Sequence, residues 1–120
     1  VDTICLAVGL SPTLELLFQA GVEMKYIPEL GGEVPLRNEY MRTSIPDIYV
    51  AGDAAGIEEA SSAMMEGQIA GLAVAKSLGA EIPDFDERIK NIRRELGALR
   101  AGPLPKKVRE GLKKVYKNWK

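Results

Sequence analysis

Gly52 and Asp53 are the residues whose types and order most clearly suggest chemistry, because they directly follow a short apolar segment at residues 48–51. We predict that this segment is a buried strand and that the Gly-Asp pair marks its carboxyl end. Ligands of open α/β sheets bind at the carboxyl ends of strands. Gly52 would let the backbone approach a bulky ligand closely, and the Asp53 carboxylate would accept a hydrogen bond from a sugar or polyol hydroxyl. The pair is therefore a candidate ligand site, with a surface β-turn capped by Asp53 as the alternative.

The helix predicted after this pair, over residues 59–78, bears on the same site. The N–H groups at the start of a helix can face an anion such as a pyrophosphate. Small residues recur along the helix mostly three or four positions apart, which places them on one narrow face: Ala60, Ala63, Gly67, Ala70, Gly71 and Val74. Such a face admits either a neighbouring backbone, as in helix-on-sheet packing, or a flat ring at short range.

The elements before this pair are predicted to alternate between strands and helices. Residues 3–8 form a continuous apolar run, which is typical of a strand buried on both faces. A helix over residues 13–20 would follow and would end at Gly21. Two short strands are predicted next, over residues 22–27 and 33–36, with a turn between them.

The tail, residues 81–120, is predicted to form two amphipathic helices. Residues 1–87 carry 4 Lys and Arg against 15 Asp and Glu, whereas residues 88–120 carry 12 against 2. An acidic body with a basic tail indicates docking of the tail on the body or on an acidic partner. Binding to nucleic acid is the sharper alternative, but the regular apolar positions of the tail argue against it. The apolar positions are Phe85, Ile89, Ile92, Leu96 and Leu99 in the first helix and Val108, Leu112, Val115, Tyr116 and Trp119 in the second, with residues 102–105 joining the two.

The composition of the 120-residue chain excludes several kinds of catalytic site. The chain has no histidine and one cysteine, Cys5, so no Ser-His-Asp triad, redox cysteine pair, disulfide or cysteine-based zinc site can form within it. It has no complete G-x-G-x-x-G loop and no Walker-type phosphate loop. No apolar run approaches the ~18 residues of a membrane span, and no signal peptide is visible. We therefore expect a cytoplasmic protein of one domain.

Two segments resemble motifs of the flavoproteins with two dinucleotide-binding domains, the pyridine nucleotide-disulfide oxidoreductase superfamily. Residues 43–53, Thr-Ser-Ile-Pro-Asp-Ile-Tyr-Val-Ala-Gly-Asp, resemble the second FAD-contacting motif. Residues 2–12, Asp-Thr-Ile-Cys-Leu-Ala-Val-Gly-Leu-Ser-Pro, resemble the strand ending in Ala-x-Gly-x-x-Pro, where the chain crosses back to the FAD domain. A narrower resemblance is to the α subunits of sarcosine oxidase and dye-linked L-proline dehydrogenase. It rests on residues 26–32 (Tyr-Ile-Pro-Glu-Leu-Gly-Gly) and 54–61 (Ala-Ala-Gly-Ile-Glu-Glu-Ala-Ser).

The resemblance implies an α/β fold in two parts. Residues 1–80 would be the C-terminal portion of a Rossmann-like FAD/NAD(P)-binding domain, and residues 81–120 an α-helical hairpin tail. It also implies that Asp53 binds the ribityl chain of FAD, while amides near the start of the following helix face the pyrophosphate or the isoalloxazine carbonyls. Ala7, Val8 and Gly9 would lie beside them at the neighbouring strand end. The cofactor-binding residues implied by the resemblance are Gly9, Gly52, Asp53, Ala54, Ala60 and Ser61.

By the same resemblance, the chain is a fragment or subunit of a flavin-dependent amine or amino-acid dehydrogenase or oxidase that acts on a small-molecule substrate. It would supply one wall of the FAD site, and a catalytic partner subunit or an upstream part of the same chain would complete it. The cofactor would carry the redox chemistry, and we assign no residue as a general acid or base. NAD(P) or another adenine nucleotide is the alternative occupant.

Two other functions remain open at the level of sequence. The chain could be a non-catalytic assembly or nucleotide-binding module that docks a catalytic partner subunit through its tail. It could also be a relative of the disulfide reductases, although the absence of histidine and of a cysteine pair disfavours that function. The chain begins at Val1, within a strand pattern, so we expect a piece of a longer protein that is not active alone.

Overall fold

The computed structural model describes residues 1–102 and 106–119. The elements in chain order are α1 (Glu15–Gln19), β1 (Met24–Ile27), β2 (Gly32–Pro35), α2 (Ala60–Ser77), α3 (Phe85–Leu99) and α4 (Lys106–Leu112), with short 3-10 turns at Pro28–Leu30 and Gly52–Ala55. No helix among these residues is long and apolar enough to cross a membrane.

Strands β1 and β2 form an antiparallel hairpin with the register Met24 to Pro35 through Ile27 to Gly32. The turn between them ends at Gly31, whose φ of 95° is readily adopted only by glycine. The predicted order of strand, turn and strand is confirmed. Strand β1 is two residues shorter than predicted, and β2 begins and ends one residue earlier than predicted.

Helix α1 is shorter than predicted, since it begins at Glu15 rather than at residue 13. Its C-terminal stop is confirmed, because Gly21 has a φ of 74° and its N–H donates to the Phe18 carbonyl at 3.0 Å. A residue in this conformation after the last helical turn satisfies a free carbonyl and ends the helix.

The predicted strand at residues 3–8 is not formed in the described structure. These residues have no regular secondary structure and are exposed, and the side chains of Ile4, Leu6 and Val8 are 76%, 80% and 94% exposed. A strand buried on both faces needs paired strands at its edges and covering layers. Within the described ranges, the only sheet is the two-stranded β1–β2 hairpin, which does not include these residues.

The predicted strand at residues 48–51 is reduced to local pairing. Tyr49 forms an isolated antiparallel bridge with Arg42, and the Val50 N–H donates to the Met41 carbonyl at 2.9 Å. The segment is therefore extended, and Val50 is buried, but it does not enter a sheet in the described part of the chain. The reason is the same as for residues 3–8: a parallel strand depends on neighbours distant in sequence.

Helix α2 is confirmed within one residue at each end, but a different face of it is packed. Its buried residues are Ser62, Glu66, Ile69 and Ala73, whereas the predicted stripe of small residues is partly or fully exposed. Side-chain carbons placed on Gly67 and Gly71 would meet nothing within 4 Å. Gly67 and Gly71 of the stripe therefore face open space among the described residues, whereas the buried face of α2 packs against α3.

The tail packs on the body through two hydrophobic clusters. Buried residues of α3 join residues of α2 and of the loop before it in one cluster: Met41, Ile69, Phe85, Ile89 and Leu96. The second cluster combines the hairpin with the chain end: Ile27, Leu30, Val34, Leu112 and Val115. The tail cations extend this contact, since Arg93, Arg100 and Lys114 each pair with a carboxylate of the body.

The second tail helix ends earlier than predicted. Helix α4 stops at Leu112, and the following residues turn back so that Tyr116 pairs with Arg37 as an isolated parallel bridge. The Lys117 N–H donates to the Arg37 carbonyl at 2.9 Å, so this pairing replaces a further helical turn. Residues 103–105, in the predicted connection between the helices, lie outside the described residues.

Candidate functional site

The chain changes direction sharply at the Gly-Asp pair. Ala51 is extended, with φ −148° and ψ 160°, and Gly52 then adopts a φ of +71° at the start of the Gly52–Ala55 turn. The Gly56 N–H closes this turn by donating to the Asp53 carbonyl at 3.1 Å. A side-chain carbon on Gly52 would lie 3.4 Å from Cβ of Ala63, so the turn rests against α2. Left-handed backbone and close packing together favour glycine at this position.

The structure brings most of the candidate residues to adjoining segments. Gly52, Asp53 and Ala54 lie in the turn, and Ala60 and Ser61 are the first two residues of α2. The Asp53 side chain is exposed, and its carboxylate has no hydrogen bond or ion pair within the described ranges. The first N–H groups of a helix have no acceptor inside the helix. The turn therefore presents the Asp53 carboxylate as a free acceptor, and the nearby start of α2 presents its first N–H groups as free donors.

Gly9 lies apart from this group on the exposed N-terminal segment, with a φ of 115°. The segment reaches the site region at its next residue. A side-chain carbon placed on Gly31 would lie 3.5 Å from the Leu10 carbonyl oxygen and 3.0 Å from Cγ1 of Ile57. The end of the segment and the loop after the turn thus meet at Gly31.

One cavity lies away from the turn. It has a volume of about 680 Å³ and lies between α3, the loop before the candidate turn and the chain end, with Tyr40, Arg93, Leu96, Tyr116 and Trp119 among its lining residues. Two smaller cavities, of about 320 and 410 Å³, adjoin Phe85. Gly52 and Asp53 line none of these three cavities. The exposed Asp53 side chain therefore lies outside these three cavities, on the surface of the described chain.

Sequence reasoning missed the buried charges that hold this turn. Arg37 and Glu66 are only 1% and 2% exposed, and Arg37 Nη2 donates to Glu66 Oε1 at 3.2 Å. The Gly52 N–H donates to Glu66 Oε2 at 3.1 Å, and Arg37 Nη1 donates to the Ala55 carbonyl at 2.6 Å. The first amide and the last carbonyl of the turn are thus both bound by one buried ion pair, which fixes the turn from behind.

Arg100, at the end of α3, completes the charge cluster. Its Nε and Nη2 donate to the two carboxylate oxygens of Glu58 at 2.9 and 2.5 Å, and Nη2 also donates to Glu66 Oε1 at 2.7 Å. Burial alone would lower the pKa of Arg100, but the hydrogen bonds and charge of Glu58, together with Tyr116 and Glu66, outweigh burial and raise it above its usual value. Two arginines and two glutamates balance one another in this cluster.

A signal for these residues was present in the sequence. Glu66 shares the helical spacing of Ser62, Ile69 and Ala73, which all lie on the buried face of α2. Arg100 follows Leu96 by four residues, in register with the apolar positions of α3. A charged residue at an apolar position of an amphipathic helix is expected to be buried and paired, because a buried charge without a partner is strongly destabilising.

The N-terminal part of the chain matches a known protein family. Residues 1–67, which include the turn, match the family described as pyridine nucleotide-disulphide oxidoreductase. One opine oxidase subunit of Rhizobium meliloti strain 1021 is 33% identical over 97 residues, covering 80% of this chain and 21% of the relative. The corresponding opine oxidase subunit of Agrobacterium tumefaciens strain Ach5 is 37% identical over 70 residues, covering 58% of this chain and 14% of the relative.

The chain thus spans about a fifth or less of the length of these relatives. No solved structure gives a significant match. The family match covers more than half of the chain and supports a Rossmann-like FAD/NAD-binding fold. The chain belongs to the pyridine nucleotide-disulphide oxidoreductase family.

Proposed function

We propose that this chain is part of a flavin-dependent oxidoreductase and supplies one wall of its FAD site. The family implies a flavin or nicotinamide nucleotide cofactor. One observation carries the choice of location: the exposed Asp53 carboxylate, unpaired in the described residues, lies on a turn whose two ends are fixed by Arg37 and Glu66. A turn held rigidly with an unused acceptor on its outer side suits ligand binding, because little ordering remains to be done when the ligand arrives.

The donors and acceptors on this surface fit FAD. The Asp53 carboxylate would accept a hydrogen bond from a ribityl hydroxyl, and Gly52 leaves room for the nucleotide beside the backbone. The amides near Ala54, Ala60 and Ser61 would face the pyrophosphate or the isoalloxazine carbonyls. FAD supplies the redox chemistry when bound, and this chain contributes binding and orientation. NAD(P) or another adenine nucleotide shares the pyrophosphate and is the alternative occupant.

The remaining wall of the site would come from another part of the enzyme. Gly9 would approach the nucleotide from the N-terminal segment, and an upstream part of the chain or a partner subunit would cover the open surface beyond it. The relatives are named as subunits of an opine oxidase. We therefore propose the α-subunit role in an amine or amino-acid dehydrogenase or oxidase, with opines among the candidate substrates, and a cytoplasmic location. The family match does not favour a non-catalytic assembly module.

Replacing Asp53 by Ala in the full-length protein tests this function. Because a hydrogen bond to a charged group contributes about 1.5–3 kcal/mol, we expect FAD to bind roughly 10- to 100-fold more weakly in the variant. Asp86→Ala, which removes an exposed carboxylate from the first turn of α3, is the matched control. The measurement is a fluorescence titration of the cofactor-free proteins with FAD. Equal affinity of the Asp53→Ala variant and the wild type would contradict the assignment.

A further inference from the structure

The guanidinium group of Arg100 joins three segments that are distant in sequence. Arg100 ends the tail helix α3 and is 8% exposed. Glu58 belongs to the segment that leads from the Gly52–Ala55 turn into α2, and Glu66 belongs to α2 itself. The ion pairs at 2.5 Å to Glu58 and 2.7 Å to Glu66 therefore connect the tail with both segments of the proposed nucleotide site.

The charges of the cluster show what Arg100 adds. Without it, Glu58 would lose its ion pair in the described structure, and Glu66 would keep only the pair with Arg37. Arg37 is also committed to the Ala55 carbonyl, at 2.6 Å, a shorter contact than its 3.2 Å bond to Glu66. Two buried carboxylates near one cation repel each other, which favours outward movement of Glu58. This movement would weaken the bond from Glu66 to the Gly52 N–H.

We propose that Arg100 is a positioning residue for the nucleotide site. Through Glu66 it fixes the first amide of the Gly52–Ala55 turn, and through Glu58 it fixes the segment that delivers the start of α2. Arg100 itself does not touch the nucleotide. The inference deepens the proposed FAD function and rests on it, since it assigns to the tail a role in shaping that site in addition to its packing on the body.

The geometry of the contact requires an arginine side chain and not merely a positive charge. Nε and Nη2 bind the two oxygens of Glu58 side by side, and Nη2 reaches Glu66 at the same time. A planar guanidinium presents its donors in this fixed arrangement, whereas a lysine ammonium is a compact charge on a flexible stem. Lysine at this position would keep the charge balance but would not hold both glutamates in one geometry.

The test uses the full-length protein with Arg100→Gln and Arg100→Lys, and Arg93→Gln as the matched control. Arg93 lies on the same helix and pairs with Glu39 at 2.9 Å, away from the turn. Hydrogen exchange of the cofactor-free proteins is followed in peptides covering residues 52–59 and in peptides from the β1–β2 hairpin. FAD affinity is measured by titration.

For Arg100→Gln we expect exchange to accelerate more at residues 52–59 than in the hairpin, and FAD to bind about 10-fold more weakly, the effect typical of removing a group that orients a binding residue. Arg100→Lys should lie between Arg100→Gln and the wild type, and Arg93→Gln should match the wild type in both measurements. The larger effect at residues 52–59 and the partial rescue by lysine distinguish positioning from general destabilisation, which would accelerate exchange equally in the hairpin.

Two outcomes overturn the inference: wild-type exchange at residues 52–59, or wild-type FAD affinity, in Arg100→Gln. If Arg100→Gln does not fold, Arg100→Lys decides, and wild-type behaviour of that variant in both measurements overturns the inference. If the wild-type protein itself binds no FAD, the proposed function fails. The exchange data then still determine whether Arg100 holds the turn.

Discussion

At the scale of single residues, Glu66 does more to hold the candidate site in place than any residue that the sequence motifs single out. Its carboxylate accepts hydrogen bonds from the Gly52 N–H, Arg37 and Arg100 while it is 2% exposed. Burying a carboxylate is costly unless charges and hydrogen bonds compensate it fully. Because Glu66 is compensated from three directions, it can hold the turn in place without itself facing solvent or ligand.

Glu66→Gln is expected to destabilise the protein by about 3–5 kcal/mol, the usual effect of removing one partner from a buried ion pair. Glutamine still offers an oxygen to the Gly52 N–H, but Arg37 then loses its ion pair and Arg100 keeps only the pair with Glu58. Glu59→Gln, at the exposed position before α2, is the control and should change the stability by less than about 0.5 kcal/mol. Urea denaturation measures both variants, and a Glu66→Gln effect no larger than the control would show that the cluster does not stabilise the fold.

Residues of the turn could be predicted from sequence, and so could the burial of Glu66 and Arg100, but not the pairing of the charges that support the turn. Gly52 and Asp53 follow one another at the end of an apolar segment and before a helix, so local order alone marked them as a candidate site. Arg37, Glu66 and Arg100 are separated by 29 and 34 residues along the chain. Their pairing depends on how α2 and α3 pack, which no local pattern specifies.

At the scale of elements, the exposed stripe of small residues on α2 allows a test of whether another surface packs against it. Interior glycines cost a helix about 1 kcal/mol each relative to alanine. Gly71→Ala should therefore raise the stability of the chain by about 1 kcal/mol, since the new carbon meets nothing within 4 Å. Thermal unfolding checks this prediction. A loss of stability would show that another surface packs on the stripe.

Gly111→Ala in α4 is the matched contrast. The added carbon would lie 2.8 Å from Cγ of Leu30 and 3.1 Å from Cβ of Glu29, so these neighbours must move. Overpacking of this kind typically costs about 1–3 kcal/mol. The two glycine substitutions should thus shift the unfolding temperature in opposite directions.

The contact between the residues after α4 and the hairpin turn is predicted to weaken in acid. Lys114 donates a hydrogen bond to the Glu29 carboxylate, and this bond, with a smaller contribution from the Glu29 backbone, lowers the pKa of Glu29 below its ordinary value of 4.5. A lowered folded-state pKa contributes stability above pH 4.5, and the contribution is lost as the pH falls through the lowered value.

The stability difference between the wild type and Lys114→Gln should accordingly be constant well above pH 4.5 and should shrink as the pH falls below it. Lys113→Gln, an exposed neighbour, should show no such pH dependence. Urea denaturation across this pH range measures both differences. A Lys114→Gln difference that does not change with pH would contradict the role of this pair.

Local patterns predicted the elements whose partners are close in sequence. The hairpin and α2 follow from alternation, turn residues and helical spacing, and α3 follows from its apolar spacing, so their bounds are nearly those predicted. Residues 3–8 and 48–51 were wrong as strands in the described structure, because a strand of a parallel sheet is stabilised by segments far away in sequence. The early end of α4 likewise reflects a distant partner, the bridge between Tyr116 and Arg37.

At the scale of the whole molecule, ion pairs between the basic tail and the acidic body hold the two parts together. Arg93, Arg100 and Lys114 of the tail pair with Glu39, with Glu58 and Glu66, and with Glu29 of the body. Each cluster of buried apolar residues also draws members from both parts. The division into residues 1–80 and 81–120 stays a prediction, and the described cores extend across it.

The surface of the described chain also agrees with a role as one wall of a larger site. Apolar side chains at Ile4, Leu6 and Val8 are exposed on the segment that also carries Gly9. Contiguous exposed apolar groups mark surfaces that other protein segments cover. Under the proposed function, the part of the enzyme that completes the FAD site would cover them, and the open surface in front of Asp53 would become a cleft.

The most direct measurement is a crystal structure of the full-length protein with bound FAD. The account predicts that an Asp53 carboxylate oxygen lies about 2.5–3.0 Å from a hydroxyl oxygen of the ribityl chain, the range of an O–H···O hydrogen bond. It also predicts that the start of α2 faces the pyrophosphate or the isoalloxazine ring. FAD bound at another site, with the Asp53 side chain turned to bulk solvent, would contradict the central claim.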